Sequence, residues 1–134
     1  MGADCHVAIE WKPREDYPWE CWAINLPVSR DYVLFALLAK VRGQYTNSSD
    51  PRGIPNDVSP EVKEWFDTSG FHSHSWLTPV EFYTTCVSYE QSIKNDGYDD
   101  YTLSEEWQSL AEVILVLSKH FGVNHVRIVF AFDS

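Results

Sequence analysis

The sequence predicts an α+β fold: a small antiparallel sheet of at least three strands, in the order β-β-α-loop-α-α-β, with helices packed on one face. Three observations carry this. Residues 5–11 and 124–132 alternate in the two-residue period of a half-buried strand. Residues 30–42 and the run starting near 104 repeat their apolar positions at helical spacing. The length of 134 residues suits a single domain, 1–134, around one core.

The first strand places Val7, Ile9 and Trp11 on one face and Asp4, His6, Ala8 and Glu10 on the other. A charged turn, KPREDYP, leads into a second alternating stretch from Trp19 to Asn25, and the two make an antiparallel hairpin. Ser29 stands at an N-cap position before a helix over 30–42, built on Val33, Leu34, Leu37, Leu38 and Val41. Residues 43–59 carry turn signals in DPRGIP and no periodicity, which predicts a long loop of the kind that often carries function. A short helical turn covers SPEVKEWF. Thr78, Pro79 and Glu81 then supply an N-cap, a proline at the first helical position and a capping-box glutamate for a helix through about Ile93. Thr102 with Glu105, or Ser104 alone, starts a third helix that ends at Gly122. The last strand sets Val126, Ile128, Phe130 and Phe132 against His125, Arg127, Val129 and Ala131, and its apolar content predicts the sheet centre. If it lies beside the first strand, Asp4, His6 and Glu10 share a face with His125 and Arg127.

Charge narrows the partners. Twenty acidic residues against ten basic ones give a net charge of -10, so free nucleic acid is not expected, because that binding neutralises phosphates with Lys and Arg. No apolar run approaches the length of a membrane span, and the start lacks the pattern of a signal peptide. Cys5, Cys21 and Cys86 match no zinc or disulfide spacing, and reading them as reduced thiols predicts a cytoplasmic protein. Six Trp, seven Tyr and seven Phe permit a pocket for a planar ligand. The sequence leaves a homo-oligomer open.

Two constellations carry chemistry. Asp4 with His6, and His72 with His74, each have i, i+2 spacing, which on an extended segment sends both side chains to one side. Three imidazoles and a carboxylate suit Zn, Mn or Fe with a water in the open position. The alternative is a sheet-face histidine and a polar loop that caps the next helix. Arg30, Arg42, Arg52 and Arg127 form the second set, a clamp for phosphate or carboxylate in which Arg52 stands out beside Gly53 in the long loop. Surface ion pairing is the competing explanation for Arg30 and Arg42. Trp76, Tyr32 and Tyr45 are candidates to stack on a base or to join the core. Ser73 and Ser75 lack a nucleophile-elbow context. The acidic stretch NDGYDDYTLSEE lacks the ligand spacing of an EF-hand and reads as a solvated turn.

GADCH, RDYVLFALLAKVRG, PRGIPNDVS, HSHSWLT and VRIVFAFDS, in this order, resemble a group of tailed-bacteriophage and prophage proteins. That group shows a Gly-Cys-Asp-Ile-His start, a Pro-Arg-Gly-Leu-Pro loop and a His-Ser-X-Ser-Trp-Leu motif. Here the cysteine follows the aspartate instead of preceding it, while Asp4 and His6 keep their places. The resemblance implies a phage accessory protein acting on host metabolism or host defence, in the host cytoplasm.

These observations lead to the expectation of a counter-defence protein binding a nucleotide-like ligand through Arg52, His72, His74, Trp76, Arg42 and Arg127, with Asp4 and His6 contributing. The enzyme alternative is a metal-dependent phosphoesterase using Asp4, His6, His72 and His74. An acidic mimic that masks a host protein is the third reading.

Overall fold

A computed structural model describes residues 2–97 and 102–133. Its elements are β1 (Cys5–Trp11), β2 (Glu20–Ala23), α1 (Tyr32–Ala39), α2 (Pro60–Ser69), β3 (His72–Leu77), α3 (Pro79–Val87), α4 (Tyr89–Asn95), α5 (Glu105–Phe121) and β4 (Val126–Phe132). The strands form one antiparallel sheet in the order β2-β1-β4-β3. The architecture is α+β, and the two most apolar strands, β1 and β4, hold its centre.

The alternation read from the sequence sorts the two faces. Cys5, Val7 and Ile9 pair across with Phe132, Phe130 and Ile128, and these side chains meet Leu34, Phe35, Phe82, Trp107 and Ile114 of α1, α3 and α5 in the main core. Phe35, Phe82 and Trp107 are fully buried. Truncating a ring of this kind costs about 3–5 kcal/mol. On the other face Ala8, Val129 and Ala131 pack under Val62 and Phe66 of α2. Helix α2 therefore covers the face that the sequence pattern left open, so the helices are not all on one side.

Local chemistry explains most element ends. Thr78 accepts from the Glu81 amide at 3.2 Å while Glu81 accepts from the Thr78 amide at 3.0 Å, the full reciprocal cap ahead of Pro79. The helix that starts there breaks at Ser88 into α3 and α4 instead of running on to Ile93. Helix α5 follows Ser104 and ends at Gly122, whose φ of +108° lies in the region that favours glycine. At α1 the cap is Asp31, which accepts from the Leu34 amide at 3.0 Å, and not Ser29. Ser29 instead bonds the Ser104 hydroxyl and accepts the Trp107 indole N–H on its carbonyl at 2.9 Å. Residues 33–39 are all buried, so α1 has no polar stripe from which its ends can be read.

β3 corrects the expectation of a polar loop at HSHSWL. It is an edge strand on β4, and α3 starts directly after it. Residues 43–59 do form the expected loop without helix or strand, held to β3 by the Gly53 amide on the His74 carbonyl at 2.8 Å. The centre of the acidic turn, residues 98–101, lies outside the described residues.

Among the described residues one charged side chain, that of Glu10, is fully enclosed. Glu10 has no exposed surface and faces Arg127 across β1 and β4, with its Oε1 accepting from Arg127 Nε at 2.8 Å and its Oε2 accepting from the Ser59 amide at 2.7 Å. Removing one partner of such a pair strands a buried charge. Arg127→Met is expected to lower the unfolding free energy by about 3–5 kcal/mol in a urea titration, and Glu10→Leu in the same chain to recover part of that loss.

Candidate ligand-binding cleft

The structure separates the residues that the sequence grouped as metal ligands. Register sets His72 opposite Phe132 and Ser75 opposite Phe130, so three steps on β3 span two on β4. The extra residue is a β-bulge, and Ser73 within it has a φ of +54°. The bulge cancels the same-side rule for i, i+2 positions. His72 lies toward Phe132 and the main core, whereas His74 packs edge-on against Phe66 of α2 at 4.9 Å. His6 stacks on Phe71 at 4.1 Å and bonds Asp133 Oδ2 at 2.7 Å, and Asp4 receives Arg30 Nε at 2.6 Å. Among the described residues no three His, Cys, Asp or Glu side chains come together to hold a metal ion. The expected set Asp4, His6, His72 and His74 is therefore not assembled.

Its members serve packing and ion pairing. His6, Trp65, Phe66, Phe71 and His74 form a chain of ring contacts beneath α2. The Arg30 hydrogen bond holds Asp4 below the usual carboxylate range. Burial opposes ionisation of Asp133, but the hydrogen bonds from His6 and the Asp4 amide outweigh it and lower its pKa too. The cysteines are free thiols. Burial pushes Cys5 far up, Cys21 to about 11 and Cys86 to about 12, so none is a ready thiolate at neutral pH.

The arginines divide. Arg42 sits over the Tyr32 ring at 5.4 Å and shares a surface pocket with Arg30 and Tyr45, a pocket that neither Arg52 nor Arg127 lines. Arg52 stacks on Trp76 at 4.8 Å, donates to the Trp76 carbonyl at 3.2 Å and grips Glu81 with both terminal nitrogens at 2.8 and 2.5 Å. That grip pushes Glu81 down to about 2. Arg52 therefore ties the long loop to the start of α3.

Trp76 and Arg127, by contrast, line one cleft of about 480 Å³ with Lys12, Trp19, Asp57 and Thr78. Arg127 lines it, and the enclosed Glu10 carboxylate lies behind the guanidinium, out of the cleft. Arg127 lies over the Trp19 ring at 4.1 Å and donates to Asp57 Oδ1 at 2.9 Å, while Asp57 Oδ2 accepts the Trp19 indole N–H at 3.1 Å. Burial raises the Asp57 pKa, but the hydrogen bond and charge of Arg127 outweigh it, and the carboxyl titrates below its usual range. Lys12 leaves the end of β1 with its ammonium over Trp19 at 4.9 Å. Its side chain is only 10% exposed, and its ion-pair partner Glu15 is 80% exposed at 3.5 Å. A β-bulge between Ile9 and Glu10 adjoins this corner.

Lys12, Trp19 and Asp57 were not legible as site residues. Lys12 and Trp19 flank a hairpin turn and Asp57 sits in the long loop, so nothing in their spacing signals that they meet. The one pointer was the pairing of the last strand with the first, which brings Arg127 beside Glu10. No protein-family model, curated protein or solved structure matches the chain. No helix among the described residues is long and apolar enough to cross a membrane.

His74 yields a pH prediction. Burial, followed by the neighbouring His72, lowers its pKa below 6.5, and its Nε2 is enclosed without a hydrogen-bond partner. The fold therefore holds the neutral ring. The stability this contributes is complete above pH 6.5 and is lost as pH falls through that value toward the folded pKa. Urea midpoints of the wild type should fall over that interval, and His74→Phe should flatten the fall. Superimposable pH profiles would remove His74 from the account. At the capping box, Thr78→Ala should cost about 1 kcal/mol in the same titration.

Proposed function

We propose that the protein binds a small ligand with a flat ring and an anionic group, nucleotide-like in chemistry, in the cleft between Trp19 and Trp76, and releases it intact. The observation that carries this reading is the convergence of two indoles and the Lys12 ammonium on one concave site. Indole rings stack on planar heterocycles and gain about 1–3 kcal/mol per ring engaged. Lys12 supplies the charge. Its carboxylate partner, Glu15, is 80% exposed and 3.5 Å away, so a ligand phosphate can take that place while Lys12 keeps its hydrogen bond to the Glu15 carbonyl at 3.3 Å.

Sequestration fits the site better than hydrolysis. A general base works best with a pKa near neutrality, and Asp57, which lines the cleft, is held below the carboxylate range by Arg127. Glu10 has no exposed surface with which to meet a substrate. The resemblance to phage accessory proteins suits a counter-defence role in which a host signal is held out of circulation. Of the expected binding residues, Trp76 and Arg127 remain in this reading, Arg52 backs the Trp76 ring, and His72, His74 and Arg42 leave it.

The test is a tryptophan-fluorescence titration against a panel of mononucleotides, cyclic nucleotides and ADP-ribose compounds, followed by chromatography of the recovered ligand. At least one member should quench saturably and elute unchanged. Lys12→Gln should weaken its binding about tenfold, the effect of losing one charge-assisted contact worth about 1.4 kcal/mol. A panel without any saturable response would refute the reading, and recovery of a cleaved product would replace sequestration with catalysis.

A further inference from the structure

Helix α5 carries a second apolar stripe that the fold does not use. Its inner face is accounted for, since Trp107, Leu110, Ala111 and Ile114 are buried against the core. On the outer face Val113 is 42% and Val116 63% exposed, and they line a shallow groove with Ser109, Glu112 and Leu117. Helix α3, packed beside α5, adds exposed Val80 and Val87 two turns apart. Scattered apolar residues on a surface are ordinary, but Val113 and Val116 adjoin in one groove, and a patch of that kind marks a contact region.

A second copy of this chain fits the stripe. About an axis between Ile114 and Leu115, Val113 of one chain meets Val116 of the other, and the contact repeats in reverse, the reciprocity of an isologous two-fold interface. Charge follows the same symmetry. The N-terminal half of α5 carries Glu105, Glu106 and Glu112, and the C-terminal half carries Lys119 and His120. An antiparallel partner therefore brings acid against base at both ends, with Glu112 within a turn of Lys119 of the other copy, and opposes the two helix dipoles. A parallel arrangement would stack acid on acid.

We infer that this face is the interface of a homodimer, in which α5 of one chain lies antiparallel on α5 of a second copy with the valines at the centre. The contact leaves the Trp19–Trp76 cleft outside the interface core and does not depend on what that cleft binds. Because each chain carries a charge of -10, apolar contact drives the association against net repulsion.

Sedimentation equilibrium on the full chain tests it. The wild type should run as two chains at micromolar concentration, and Val113→Lys with Val116→Lys should weaken the dimer at least about tenfold. Both positions are exposed, so circular dichroism should stay unchanged. Glu112→Lys alone should weaken the dimer, and adding Lys119→Glu should restore it. A monomeric wild type would overturn the inference, as would a dimer indifferent to the valine substitutions. Failure of the charge reversal to restore association would overturn the antiparallel arrangement.

Discussion

The interior ion pair of Glu10 and Arg127 is the constraint around which the sheet and the cleft are organised. A carboxylate with no exposed surface at the sheet centre is costly unless each oxygen is bonded. Here the guanidinium takes one oxygen and the Ser59 amide, at the cap of α2, takes the other. The pair thereby tethers the start of α2 to β1, while Val62 and Phe66 bury the rest of that face. The same guanidinium reaches outward to Asp57 and lies over Trp19, so the loop before α2 and the start of β2 are positioned by one side chain. Replacing the pair with apolar residues of similar volume need not cost stability, but it would leave Asp57 and Trp19 without their anchor.

Much of the fold was legible because its local chemistry was explicit. The alternation of β1 and β4 specified both strands, the apolar content of β4 specified its place at the sheet centre, and the Thr78, Pro79 and Glu81 signature specified a helix start to the residue. One element was read with the wrong ends and one escaped, both for physical reasons. Helix α1, expected over 30–42, spans Tyr32–Ala39, and because it is apolar on every side no polar stripe marks its ends and its cap falls on Asp31 instead of Ser29. Strand β3 carries polar residues at an edge and is broken by a bulge, so it shows neither alternation nor an apolar run.

That bulge also explains why the histidine motif misled. On a regular strand His72 and His74 share a side; one inserted residue sends them apart, one toward Phe132 and the other into the rings beneath α2. The histidine pair serves as aromatic packing on an edge strand and not as a metal shell. The cleft was illegible for a different reason. Lys12 and Trp19, Asp57, Trp76 and Arg127 come from four separate stretches of chain, and only the tertiary fold brings them to one place. Sequence spacing reports neighbours within an element, whereas this site is built from ends and loops of several.

The organising role of the interior pair is open to one direct measurement, the amide and indole NMR spectrum of Glu10→Gln beside that of the wild type. Neutralising Glu10 should shift the Trp19 indole N–H together with the amides of Asp57 and Ser59, and speed their hydrogen exchange, while Leu34, Phe82 and Ile114 in the main core stay unmoved. Changes restricted to residues 10 and 127, with the Trp19 indole unaffected, would contradict the claim that this pair positions the cleft.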